Sequence, residues 1–179
     1  MFWIQQPFGD FGVQMDGGYL ATSSVRVLVV DDFEPFRRVV GSILQKQPEL
    51  QIICEVSDGL RAVQMAEELQ PDLILLDIGL PLLNGIEAAR QIRKLAPESK
   101  IILVTMESSP DVVQEALSLG AQGYVLKTHA GSELLAAVEA VLEGRQFVSS
   151  ALSSGSFGTT TNWRARRKEV LLSLVPEKP

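Results

Sequence analysis

One cysteine, Cys54, and one histidine, His129, are all that 179 residues offer of the side chains most used to hold soft metals. A lone thiol excludes an internal disulfide framework and a zinc site built from several thiolates, and it points to a reducing compartment. Long apolar runs are missing too. No stretch approaches the roughly 18 residues needed to cross a bilayer, and the first residues lack the basic start and long apolar core of a secretory signal. The expectation is a cytoplasmic protein without membrane contact. Positive charge is scarce: 16 Lys and Arg face 22 Asp and Glu, leaving a net charge of −6. That balance is a poor match to a phosphate backbone, so DNA binding requires a local basic patch. What the chain does have is apolar mass, because 46% hydrophobic against 21% charged residues can bury a sizeable core. At roughly 150 residues per domain, the length suits one domain with appendages.

Three zones follow from composition. Residues 1–24 hold Phe2, Trp3, Phe8, Phe11 and Tyr19 with four glycines and no apolar periodicity, which reads as an irregular arm. Residues 25–148 alternate short apolar runs with amphipathic segments. Residues 149–179 begin with a Ser/Gly/Thr-rich stretch and lead into the basic run Arg164, Arg166, Arg167 and Lys168, which reads as a linker and short basic tail. The zones carry −2, −7 and +3 charges in turn, so the acidity belongs to the middle.

The middle zone has strand-length apolar runs at Val25 to Val30, Ile52 to Val56, Leu73 to Leu76, Ile101 to Val104 and Gly123 to Leu126. Between them apolar residues recur at spacings of three or four, as in Phe36, Val40, Ile43 and Leu44, in Ala62, Ala66 and Leu69, and in Leu134, Val138, Val141 and Leu142. Five strands alternating with five helices imply right-handed crossovers and a parallel sheet covered on both faces. The unbroken run Leu73-Ile74-Leu75-Leu76 suits a central strand, which has no wet face to alternate with.

Polar residues interrupt this pattern at one place in each unit. Asp31 and Asp32 follow the first strand, Asp77 the third, and Thr105 and Lys127 end the fourth and fifth. All five therefore fall at carboxyl ends of strands, where ligands of open parallel sheets bind. Three carboxylates in one crevice repel unless a cation or shared protons offset them. A hard divalent ion that keeps several waters and uses phosphate oxygens, Mg²⁺, suits such a trio. Lys127 and the Thr105 hydroxyl suit a phosphoryl group, and an aspartate can itself be the nucleophile that becomes an aspartyl phosphate. Asp77, at the end of the central strand, is the candidate. An Asp pair after a strand also suits a helix N-cap, so weight falls on the joint pattern and not on any single residue.

Val27-Leu-Val-Val-Asp-Asp32, Leu75-Leu-Asp-Ile-Gly-Leu-Pro-Leu-Leu-Asn-Gly-Ile-Glu87, Val104-Thr105 and Gly123-Tyr-Val-Leu-Lys127 together resemble the receiver domain of two-component response regulators. The wording around Asn84-Gly85-Ile86-Glu87-Ala88-Ala89 and Gly120-Ala-Gln-Gly-Tyr124 is most similar to the NarL/FixJ-like subfamily. The resemblance covers about residues 25–148. It implies a flavodoxin-like, doubly wound (βα)5 three-layer sandwich with strand order 2-1-3-4-5. It also implies that Asp77 accepts a phosphoryl group from a histidine kinase, and that Asp32 and Asp77 bind Mg²⁺ through side chains, Gly79 through its backbone carbonyl and Asp31 mainly through water. Lys127 and Thr105 would contact the acyl phosphate, and Tyr124 would change rotamer to re-form the surface of helix four, strand five and helix five.

Some residues depart from the family pattern or stand outside it. Met106 occupies a position usually held by Ala, Ser or Gly, so slow phosphoryl exchange is expected. Thr128 replaces a proline that often follows the lysine. His129 reads as a surface or capping residue and Cys54 as a small core residue. Only 29 residues follow Ser150, too few for the helix-turn-helix domain that relatives of the subfamily carry at roughly 11 residues per helix. The expected function is a stand-alone, non-enzymatic regulator whose output is protein–protein contact with a downstream target, either by dimerisation through the helix-five or helix-four face or by relay of phosphate to another protein. A direct transcriptional role requires a truncated piece of a longer product. A Mg²⁺-dependent aspartate-nucleophile phosphatase would have its two aspartates after one strand, separated by one residue, and a flavin carrier needs a Ser/Thr-rich first loop where Asp31-Asp32-Phe33-Glu34 is acidic.

Overall fold

The computed structural model describes residues 24–153, so the aromatic arm, Trp163 and the basic run lie outside the described residues. Five parallel strands form where the apolar runs predict them: β1 (Val25–Val30), β2 (Leu50–Val56), β3 (Leu73–Leu76), β4 (Lys100–Thr105) and β5 (Gly123–Leu126). The helices between them are α1 (Glu34–Leu44), α2 (Gly59–Leu69), α3 (Gly85–Leu95), α4 (Pro110–Ser118) and α5 (Ala130–Leu142). A single 3₁₀ turn, Lys127–His129, joins β5 to α5.

One element escapes the expected five-stranded order. A two-residue strand, β6 (Phe147–Val148), pairs parallel with β5, so the sheet runs β2-β1-β3-β4-β5-β6 and is followed by the one-turn α6 (Ser150–Ser153). Two residues are too few to show any periodicity, which is why the pattern misses them. The chain beyond Val148 still belongs to the packed structure, since Ser149 and Leu152 are buried.

Alternation along the strands divides the core into two layers. Ile74 and Leu76 of β3 point with Leu28, Val30, Ile101 and Leu103 to the side where Ala66, Ala88, Ile92 and Val113 of α2, α3 and α4 pack. Leu73 and Leu75 point the other way, with Val27, Val29 and Val104, toward Val40 and Leu44 of α1 and Leu134 and Val138 of α5. All four residues of β3 are buried. Each such leucine contributes about 1.5–3 kcal/mol relative to an exposed one. That double burial fixes β3 at the centre and fixes where its polar successor emerges.

Candidate functional site

Strand register brings the acids together. Val30 of β1 pairs with Leu76 of β3, so the next residue on each strand, Asp31 and Asp77, stand side by side. The Asp77 N–H donates to the Val30 carbonyl (2.9 Å) and the Asp31 N–H to the Val56 carbonyl (3.1 Å), which anchors both backbones to neighbouring strands. On the other flank Thr105 of β4 pairs with Leu126 of β5, so Lys127 leaves the sheet at the same level. The candidate residues are thus gathered by the ladder alone.

Carboxylate oxygens of Asp31, Asp32 and Asp77 all lie within 4.8 Å of one another. Asp31 and Asp77 are buried and Asp32 is exposed. Each buried acid divides its oxygens between two tasks. Asp31 Oδ1 accepts from the Phe33 N–H (2.9 Å), and Asp77 Oδ1 accepts from the N–H groups of Ile78 (2.7 Å) and Gly79 (3.3 Å). Their Oδ2 atoms both receive Lys127 Nζ, at 2.6 Å from Asp31 and 2.7 Å from Asp77. The ammonium also lies 4.8 Å from the centre of the Phe36 ring, within range of a cation–π contact. The acid pair is not a helix cap: Phe33 occupies the N-cap of α1 and no side chain caps that helix.

Burial raises the Asp31 carboxyl above its ordinary value, aided by the charge of Asp77, and the Lys127 and Phe33 donors only partly counter it. Burial works against the charge on Lys127 as well, yet hydrogen bonds from it to Asp31 and Asp77 outweigh that and lift its value above that of a free lysine. The lysine thus stays charged between the two acids.

Thr105 and Tyr124 meet on a third residue. The Thr105 hydroxyl oxygen accepts from the Glu107 N–H (3.2 Å), and the Tyr124 hydroxyl donates to the Glu107 carbonyl (2.8 Å) from a side chain with no exposed surface. Burial, followed by the charges of Glu107 and Asp77, pushes the Tyr124 hydroxyl well above the ordinary tyrosine range. Gly79 sits against Asp77, with space at its α-carbon facing Asp77 Oδ2.

Several site features have little or no sequence signal. A Cβ on Gly85 would fall 1.9 Å from the Asp77 carbonyl oxygen, so the first residue of α3 must be glycine for that helix to reach the loop. Asn84 caps the same helix, its Oδ1 accepting from the Glu87 N–H (3.0 Å). The sequence places Asn84-Gly85 in a motif without showing this fit. Phe36 reads only as a helix-face residue, and Glu107 carries no mark at all. Met106 is 66% exposed. The His129 ring Nδ1 pairs with the Thr128 hydroxyl, and no peptide bond among the described residues is cis. Cys54 is a free thiol, half-buried against the α2–α4 layer. Among the described residues no helix is long and apolar enough to cross a membrane.

Comparison with known proteins bears on the family and the fold. Residues 27–139 match the response regulator receiver domain family. The chain is 32% identical over 152 residues to the nitrate/nitrite response regulator protein NarL of Escherichia coli, covering 85% of this chain and 70% of that one. It is 41% identical over 111 residues to the protein-glutamate methylesterase/protein-glutamine glutaminase of Thermotoga maritima, but that match covers 62% of this chain and only 32% of the enzyme. A two-component response regulator of the LuxR family from Aurantimonas sp. SI85-9A1 superposes with a TM-score of 0.70 at 32% identity, covering 74% of this chain and 94% of that one. The chain spans about half the length of other curated relatives it matches.

Proposed function

The chain belongs to the response regulator receiver family of two-component systems, and on that footing we propose that Asp77 is its phosphoacceptor, charged by a histidine kinase in a Mg²⁺-dependent transfer. One observation carries the assignment: Lys127 bridges acids from two different strands at 2.6 and 2.7 Å, which leaves a cation poised over Asp77 Oδ2. Oδ1 is held by two backbone donors, so Oδ2 is the oxygen presented for attack.

The donor set fits a hard divalent ion. Three carboxylates converge, one of them open to solvent, which leaves room for the waters that Mg²⁺ retains. Asp31, Asp32 and Asp77 would hold it, with the Gly79 carbonyl as a backbone ligand. Bound there, Mg²⁺ supplies charge neutralisation for phosphoryl oxygens. The chain's own residues do the rest. Asp77 Oδ2 forms the new bond to phosphorus as the bond from phosphorus to the donor imidazole nitrogen breaks, and the imidazole leaves with that electron pair. Lys127 exchanges a carboxylate partner for the transferred group and stabilises its charge. Thr105 leaves the Glu107 N–H to hydrogen-bond the phosphoryl oxygen, and Tyr124 follows the loop.

The receiver unit is taken as residues 25–148 with the buried Ser149 and Leu152 packed onto it, preceded by the arm and followed by the tail. Its output is contact with a downstream protein or a second copy of the chain, and water ends the signal by hydrolysing the acyl phosphate. Incubation of the full chain with acetyl phosphate and Mg²⁺ tests the reading by intact mass. Wild type gains one phosphoryl group and Asp77→Ala does not; equal labelling of both overturns it. Beryllofluoride with Mg²⁺ then reports any change of oligomeric state.

A further inference from the structure

β6 ends after two residues, yet its hydrogen-bond ladder does not. The Ser149 N–H donates to the Tyr124 carbonyl (2.8 Å), and where the next ladder acceptor would stand, the Ser149 hydroxyl oxygen accepts from the Leu126 N–H (3.1 Å). That hydroxyl in turn donates to Glu133 Oε2, in the first turn of α5. Glu133 Oε1 accepts from both the Ser150 N–H (3.1 Å) and the Ser150 hydroxyl (2.5 Å). Ser149 is completely buried, and the Leu152 N–H closes back on its carbonyl (2.9 Å). A continuous set of bonds therefore runs from the residue preceding Lys127 to the last described residues of the chain.

We propose that the bonds joining Leu126, Ser149, Glu133 and Ser150 form a latch releasing residues 149–152 when the crevice is charged. The inference rests on the reading of Asp77 as phosphoacceptor. At rest Lys127 bonds both Asp31 and Asp77, and the N–H of Leu126, one residue earlier at the end of β5, bonds the Ser149 hydroxyl. A phosphoryl group and its ion take over the carboxylate oxygens, and the lysine shifts from a carboxylate to the transferred group. The end of β5 follows that shift, and the bond from Leu126 to Ser149 weakens. Glu133 then loses its correctly placed hydroxyl donor, and its hold on Ser150 goes with it. Because coupling between two sites is reciprocal, a segment that pulls on residues 149–152 would favour the charged crevice.

Amide hydrogen exchange of the full chain, with and without Mg²⁺ and beryllofluoride, tests the latch. In wild type the ligand accelerates exchange at Ser149, Ser150 and Leu152 by about fivefold or more, the low end of usual coupling. In Ser149→Ala and in the near-isosteric Glu133→Gln these amides exchange fast from the start and no longer respond, while Ile78 and Gly79, bonded to Asp77, respond as in wild type. A brace of the fold alone would lower the melting temperature of the variants and leave the response in place, which overturns the proposal. Unchanged or slower exchange at Ser149, Ser150 and Leu152 in wild type overturns it too, with the phosphoacceptor reading intact if Ile78 and Gly79 respond. If neither region responds, both readings fall.

Discussion

Tyr124 grips Glu107 by its backbone carbonyl at 2.8 Å, and the N–H of the same residue is spent on Thr105 at 3.2 Å. The β4–α4 loop is therefore tied on both sides of one residue, to a strand-end hydroxyl and to a buried phenol. Tyr124→Phe removes one tie without altering the packing of the ring. It costs about 1 kcal/mol of stability. Exchange at the Glu107 and Ser109 amides should rise, and an unchanged denaturation midpoint with unchanged exchange would contradict the tie.

Lys127→Ala leaves two buried carboxylates facing each other without a cation. With side-chain exposures of 3% for Asp31 and 7% for Asp77, little solvent reaches them. Removing one partner of such a buried arrangement costs about 3 kcal/mol. Millimolar Mg²⁺ should restore much of the loss in the variant and stabilise wild type less, as read by thermal melts with and without chelator.

Asp31 and Glu133 give opposite pH signatures. Asp31 is raised, by burial first, so the fold favours its protonated form: its contribution to stability is greatest at low pH and is lost as pH climbs through the folded-state value. Metal binding needs the ionised form, so Mg²⁺ affinity falls on acidification from a higher pH than the ordinary aspartate value of 3.8 would give. Partial burial opposes ionisation of Glu133, but the Ser149 and Ser150 donors outweigh it and hold the carboxyl below its ordinary value. Its contribution is present above the unfolded-state value and is lost as pH falls through the folded one. Mg²⁺ titrations from about pH 4 to about pH 7 check the first statement, and flattening of the acid limb in Glu133→Gln checks the second.

Gly85→Ala drives a methyl group into the Asp77 carbonyl, 1.9 Å from where it would sit, and backbone on both sides must give way. The loss should exceed the usual overpacking range of about 1–3 kcal/mol, with slowed labelling of Asp77 in the fraction that folds.

Met106→Ala should change stability by less than about 0.5 kcal/mol, because the side chain is 66% exposed. Both acetyl phosphate labelling and dephosphorylation should accelerate if the long side chain restricts access beside Thr105. Equal rates in the two proteins remove that role.

The parallel α/β architecture is legible because central strands such as Leu73–Leu76 are apolar on both faces, so any polar successor marks a strand end. Asp31, Asp77, Thr105 and Lys127 announce themselves in that way. Their convergence is not written in periodicity: it depends on which strands are neighbours, and the family resemblance supplied that order. The register pair Val30 and Leu76 then does what no one-dimensional pattern shows. The clasp of Glu133 on Ser149 joins residues 16 apart through a two-residue strand, so neither helical nor strand spacing reveals it. Phe36 lies over Lys127 because α1 and α5 pack on the same face of the sheet, and its helical spacing already accounts for it as core.

The lysine between Asp31 and Asp77 acts as a built-in counter-ion. On the proposed reading of the crevice as a Mg²⁺ site, the fold then needs no metal to hold the two acids together, and the ion governs phosphoryl transfer and not assembly.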